Sequence, residues 1–326
     1  MEVYNCNINK NLNISKYFSE KNICFLDIET TGFSRKYNQI YLIGIIYYDE
    51  NNSAWKIVQF FADNLVEEKE ILEEFNKMIL SFDLIVNYNG DNFDLPFIQS
   101  RMKYYNIKSN MEDINSFDIY KEIKKNEKYL GLDNLRLKTV EKSLGIYRSD
   151  KYSGKDCINF YFKYVETEDK ILKNNILKHN YDDLYYLLDI LKIFDCLKNI
   201  KGFNMNIDNN ILYIEISNIV LEENILRISC NTAPQREMDI IHYDENFNLN
   251  WQSKGFLFID LNISEGFITP TKKCLFINKN DFPLNGDLKD LSQYMVPDNL
   301  MLLKVEKNLI MKNIKSIIKD LIFYVS

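Results

Sequence analysis

The sequence is sparing with the residues that build soft-metal and disulfide scaffolds. It has six cysteines and two histidines in 326 residues. Cys6, Cys24, Cys157, Cys196, Cys230 and Cys274 are irregularly spaced and include no Cys-x-x-Cys, which argues against a zinc motif and against a disulfide framework. Positive charge is not in excess either: 40 Lys and Arg stand against 47 Asp and Glu, a net charge of -7. This argues against a broad basic surface that coats phosphates, although metal ions in an acidic cleft are a second way to receive phosphate. No run is long and apolar enough to span a membrane, and the polar stretch Met1 to Lys21 has no secretory core, so a reducing cytoplasm is the expected location. Glycine (10) and proline (5) are scarce, and there is no repeat and no low-complexity linker.

What is present is an ordinary globular balance, 46% apolar, in a chain long enough for about two domains. Residues 22–28, Gln39 to Tyr48 and Ala54 to Phe61 read as strands rich in β-branched and aromatic residues. Val66 to Leu80 has helical periodicity, Asp83 to Asn87 is a fourth strand, Leu95 to Tyr105 a helix, and Ile114 to Tyr120 a fifth strand ending at Asp118. Helices follow near Leu135 to Leu144 and Ile158 to Val165, then from Lys170 to Leu197. This order predicts an α/β domain over residues 1–200 with a mixed five-stranded sheet flanked by helices. Beyond it, short strand-like runs such as ILYIEISNIV, ILRISC and GFLFIDL predict a smaller β-rich domain over 201–326, closed by a helix around Leu300 to Leu321.

The chemistry concentrates in three places. Asp27 and Glu29 stand two residues apart in the apolar run CFLDIETTGF, so a strand projects both to one face. Paired buried carboxylates are costly unless cations neutralise them, and Mg2+ or Mn2+ do so because they prefer oxygen ligands. In NYNGDNFDLPF, Asp94 falls where a helix starts, a position that serves capping as well as metal binding, while Asp91 faces the solvated turn. In LKHNYDDL, His179 and Asp183 are four apart on one helical face, in an otherwise apolar stripe of Ile176, Leu187 and Ile190. Asp182 falls on a wetter face beside Lys178.

The ordered set, Asp-x-Glu on a first strand, Phe-Asp after a fourth and His-x-x-x-Asp on a late helix, resembles the DEDD superfamily of 3'-5' exonucleases. It is most similar to the bacterial YprB-like RNase H-like domain family, whose intermediate features match Phe117-Asp118-Ile119-Tyr120, Leu144-Gly145-Ile146, Arg148 and Ser153-Gly154. The resemblance spans about residues 20 to 197 and leaves the second domain unassigned. It implies an RNase H-like fold and a nuclease acting on DNA or RNA with a free 3' end. It also implies two divalent ions, Mg2+ or Mn2+, held by Asp27, Glu29, Asp94 and Asp183. His179 would orient or deprotonate the attacking water, with Tyr181 and Tyr185 as alternatives, because the His-x-x-x-Asp spacing is that of the Tyr subclass. Thr30 and Thr31 would meet the terminal nucleotide, and Arg148, Lys151 and Lys155 the backbone. The competing readings are a non-catalytic nucleic-acid or protein-binding module on the same scaffold, and an endonuclease of the RNase H or resolvase kind.

Overall fold

A computed structural model describes residues 1–20, 22–148, 152–207 and 210–326. The chain divides into two units, Met1–Lys125 with Leu132–Ile193, and Asn126–Gly131 with Phe194–Ser326.

In the first unit the β-branched and aromatic runs form β1 (Glu2–Ile8), β2 (Ile23–Thr30), β3 (Ile40–Asp49) and β4 (Ala54–Phe61). Helix α1 (Glu68–Met78) leads to β5 (Leu84–Asn87), α2 (Asp94–Tyr104) and β6 (Asn115–Asp118). Next come α3 (Ile119–Lys125), a single turn α4 (Glu127–Leu130) that belongs to the second unit, and α5 (Leu137–Ser143). The sheet order is β1-β4-β3-β2-β5-β6, antiparallel among the first four and parallel from β2 to β5 and β6. It is the mixed sheet the pattern predicts, with six strands rather than five. The extra strand, β1, pairs along β4 from Glu2 opposite Phe61 to Ile8 opposite Trp55. Most of its side chains are exposed, so backbone pairing rather than an apolar pattern holds it.

Strands β2 and β3 lie at the centre and are buried along most of their length, as expected of strands covered on both faces. Helix α1 packs on β3 and β4; α6 (Gly154–Thr167) and α7 (Lys170–Ile190) pack on each other and on β2. The helix expected to run from Lys170 to Leu197 is two: α7 ends at Ile190 and α8 (Lys192–Lys201) follows. Glu68, fully buried, accepts from the Arg101 Nε at 2.8 Å, the Tyr105 hydroxyl at 2.9 Å and the Ile40 amide at 2.8 Å. Those bonds tie α1 and α2 to the start of β3.

In the second unit β7 (Gly202–Ile207), β8 (Asn210–Glu222), β9 (Ile225–Ala233), β10 (Ile240–Tyr243), β11 (Phe247–Trp251) and β12 (Phe256–Asn262) form an antiparallel sheet ordered β10-β11-β12-β9-β8-β7. A second sheet joins β13 (Ser264–Phe267), β14 (Lys273–Asn278), β15 (Leu300–Val305) and β16 (Asn308–Leu309). The helix expected over Leu300 to Leu321 is instead the β15–β16 hairpin, turned at Glu306 (φ 51°), followed by α9 (Met311–Val325). Leu300 to Val305 alternates poorly but is almost wholly buried, a pattern that periodicity cannot assign to strand or helix. Helix α9 places Ile314, Ile317, Ile318, Leu321 and Ile322 in one core with Trp251.

Candidate active site

The pleat of β2 carries Asp27 and Glu29 to one side, and α7 brings Asp183 to them. One carboxylate oxygen from each of these three residues lies within 4.8 Å of the others. Glu29 is buried and the other two are half-buried. Asp94 reaches the same strand by a different route. The turn before it is closed by the Gly90 amide donating to Asn87 Oδ1 at 2.7 Å, with Asn89 in a left-handed conformation (φ 64°) and its amide donating to Asp118 Oδ1 at 2.8 Å. Asp94 is then the first residue of α2 and makes no cap; its Oδ1 accepts from the Ile28 amide at 3.1 Å. The acid is thus fastened to β2 between Asp27 and Glu29. Asp91 faces away, bound by Lys121 at 2.7 Å and by Ser116.

Burial and mutual repulsion dominate the electrostatics. Burial pushes the Asp94 carboxyl up to about 7, against the Ile28 amide that stabilises its anion. Glu29 is pushed up to about 8, first by burial and then by Asp183 and Asp94, with His179 opposing. Asp27 is held well above the usual carboxylate range by burial and by Asp183, Asp94 and Glu29. The set therefore carries more potential negative charge than it ionises comfortably alone, and its donors are all oxygens. This fits a hard divalent cation.

Helix α7 also supplies the neighbours of the acids. His179 Nε2 lies 3.8 Å from Glu29 Oε1 and 3.7 Å from Asp183 Oδ2. Asn180 donates to Asp27 Oδ2 at 2.7 Å and accepts from Gln59 Nε2 at 2.8 Å, so β4 sets the orientation of the amide that holds Asp27. Gly44, opposite Asp27 in the register, makes this approach possible: a Cβ there would overlap the Asn180 amide and come within 2.7 Å of Leu184 Cδ1. Tyr41 donates to Glu29 Oε2 at 3.4 Å and stacks on Tyr161 with ring centroids 4.0 Å apart. Gln59 and Gly44 were legible as the lone amide and the lone glycine of two largely apolar strands; Asn180 stood in the His-x-x-x-Asp motif with no role assigned to its amide.

Other expected residues fall elsewhere. Tyr181 and Tyr185 stack on each other, and Lys10 sits 3.7 Å above the Tyr185 ring. Each is two residues from His179 or Asp183, which turns them to another side of α7. Asp182 is buried rather than wet, its carboxylate held by Lys178 at 2.7 Å. The Thr30 hydroxyl donates to the Gly32 carbonyl at 2.8 Å, and the Thr31 hydroxyl accepts from the Gln39 amide at 2.9 Å, so both close the turn after β2. Beside them Phe33 is 85% exposed and meets Phe93 edge to face. Arg148 is not a surface cation: it is buried and bridges Asp183 to the buried Glu141. Lys155 is exposed in the first turn of α6, and Lys151 lies outside the described residues.

Residues 24–194 match the family model described as the RNase_H superfamily. The uncharacterized protein YprB of Bacillus subtilis is 26% identical over 179 residues, which are 54% of this chain and 42% of that protein. A DNA polymerase of Methanocaldococcus jannaschii is 33% identical over 69 residues, 20% of this chain and 4% of that protein. The chain thus spans less than half the length of these relatives. Among solved structures, the family B DNA polymerase of Pyrobaculum calidifontis aligns with a TM-score of 0.42 at 13% identity, covering 55% of this chain and 24% of that one. E. coli exonuclease I in complex with a dT13 oligonucleotide aligns with a TM-score of 0.34 at 13% identity, covering 63% and 54%. Among the described residues no helix is long and apolar enough to cross a membrane.

Proposed function

Since the chain belongs to the RNase H superfamily, we propose that it is a metal-dependent nuclease that removes nucleotides from a free 3' end of DNA or RNA with two Mg2+ or Mn2+ ions. The observation that carries this reading is the convergence of Asp27, Glu29 and Asp183 within 4.8 Å, with Asp94 fastened to the strand between the first two. Asp27, Glu29, Asp94 and Asp183 are the residues that would hold the ions. Ions held there would activate the attacking water and neutralise charge developing at the leaving oxygen.

The remaining work falls to the side chains around them. His179, 3.7 Å from Asp183 Oδ2, would take a proton from the attacking water. Asn180 and Gln59 hold the Asp27 carboxylate in one orientation, and the Ile28 amide does the same for Asp94. Phe33 offers a ring on which a terminal base can stack, a contact of about 1–3 kcal/mol that asks nothing of sequence. Thr30 and Thr31 shape the turn that would meet the terminal nucleotide, the Thr31 hydroxyl and amide both pairing with the backbone of Gln39. Among the described residues, Lys155 is the expected cation that remains for a backbone phosphate.

One observation favours a second reading. The Arg148 guanidinium already neutralises Asp183, as a permanent counter-charge would in a non-catalytic module of the same fold. A cleavage panel separates the two. DNA and RNA oligonucleotides labelled at the 5' or the 3' end are incubated with Mg2+, Mn2+ or EDTA, beside Asp27→Ala. The nuclease reading expects a ladder of shortened 5'-labelled products with metal, single nucleotides from 3'-labelled substrate, and neither with EDTA or Asp27→Ala. Equal degradation by wild type and Asp27→Ala, or none by either, overturns it.

A further inference from the structure

On its α6 side the carboxylate cluster meets a different set of donors. Cys157 on α6 is fully buried, and the thiol sulfur, one Glu29 carboxylate oxygen and one His179 ring nitrogen all lie within 4.8 Å of one another. All three residues are buried, and each comes from a different element: β2, α6 and α7. Those elements pack together in the unit's core. The first turn of α6 is pinned by a reciprocal cap, in which the Asp156 amide donates to Ser153 Oγ and the Ser153 amide donates to Asp156 Oδ2. The three donors are therefore held by the fold rather than gathered from a loop.

The donor chemistry is not that of the neighbouring acids. Mg2+ takes oxygen, whereas sulfur and imidazole with one carboxylate suit Zn2+. With bonds of about 2.3 Å to sulfur and about 2.0–2.2 Å to nitrogen and oxygen, a tetrahedral ion sets its ligands about 3.3–3.6 Å apart. The observed spacings, at most 4.8 Å, reach that by closing no more than about 1.5 Å.

We propose that Glu29, Cys157 and His179 form a Zn2+ site that overlaps the catalytic carboxylates, so that zinc and the hard ions compete for Glu29. The thiol proton leaves to solvent as the sulfur binds. Three protein donors leave a fourth position for water, and an ion there ties up both Glu29 and the candidate base His179. The existence of the site does not depend on the nuclease reading; its meaning as an inhibitory site rests on it.

The test reads the metal directly. Full-length protein carrying Cys6→Ser, which removes an exposed thiol, is titrated with Cd2+ while the ultraviolet thiolate-to-metal charge-transfer band is followed. Zn2+ affinity is measured against a chromophoric chelator, and bound Mn2+ by electron paramagnetic resonance. One band per chain is expected, lost in Cys157→Ala. Zn2+ affinity should fall at least about 10-fold in Cys157→Ala and in His179→Gln, since even outer-sphere changes at metal sites cost about 10–100-fold. One equivalent of Zn2+ should release bound Mn2+ from the parent. His179→Gln keeps the test standing if Cys157→Ala does not fold. A band of full amplitude in Cys157→Ala, Zn2+ affinity within twofold of the parent in both variants, or undiminished Mn2+ signal with zinc bound overturns the proposal. None of these readouts needs cleavage, so an inactive protein would refute the nuclease reading and leave this test intact.

Discussion

Replacing Glu29 by Gln in metal-free protein should raise its stability, and by an amount that grows with pH. Glu29 is buried, and its carboxyl is pushed from 4.5 to about 8, so the folded state holds the proton far longer than the unfolded chain does. The sign follows from proton linkage: between these two values the unfolded state binds fewer protons, and stability falls as pH rises. The penalty is absent below about pH 4.5 and is nearly complete above pH 8. At 1.36 kcal/mol per tenfold change its upper bound is about 4–5 kcal/mol. A buried Gln amide is itself desolvated and offsets part of that, so the single substitution should recover about 1–2 kcal/mol, or about 2–8 °C in melting temperature for a unit of this size. Melting in EDTA is compared at pH 5 and pH 8.5. Glu29→Gln should melt well above the parent at pH 8.5 and little above it at pH 5. Saturating Mn2+ should stabilise the parent more than the variant and shrink or reverse the gap. A variant that melts at or below the parent at pH 8.5 without metal, or a gap independent of pH, would refute the idea that repulsion among buried acids governs this site.

Three further outcomes bear on the same geometry. His179→Ala should lower turnover by about 10²–10⁴-fold with little change in Mn2+ affinity, and reshape the low-pH limb of the rate profile; normal turnover, or full rescue by raising Mn2+, moves the base elsewhere. Gly44→Ala forces the Asn180 amide off Asp27. It should cost about 1–3 kcal/mol by thermal melt and up to about 10²-fold in rate, and an alanine variant with wild-type values would mean α7 does not need this close approach. Arg148→Met leaves Glu141 buried without its cation and should cost about 3–5 kcal/mol in a denaturant melt. Arg148→Met combined with Glu141→Leu should recover most of that; a double variant as unstable as the single one would place the role of Arg148 at Asp183 alone.

Local periodicity made the carboxylate cluster readable. Two acids at i and i+2 in an apolar run must share a strand face, and a His and an Asp at i and i+4 must share a helix face, whatever the rest of the chain does. The same logic gave the α/β order and most of the second unit's long strands. It had no purchase on β1, whose side chains are mostly exposed, or on β15, whose buried run has no diagnostic period. Sequence signals for Gly44 and Gln59 existed as a lone glycine and a lone amide in apolar strands, but each needed its partner on α7 to acquire meaning.

By itself, then, the sequence determined which acids face one way on β2 and which side of α7 carries His179 and Asp183. Tertiary structure alone decided that these two faces meet, that Asp94 serves the Ile28 amide instead of capping its own helix, that Arg148 is buried against Asp183, and that Cys157 lies beside Glu29 and His179. The physical reason is range. Side-chain direction within one element follows from backbone geometry over a few residues, whereas the company a buried charge or thiol keeps is set by contacts between different elements, from tens to more than a hundred residues apart, through packing that leaves no periodic trace in either segment.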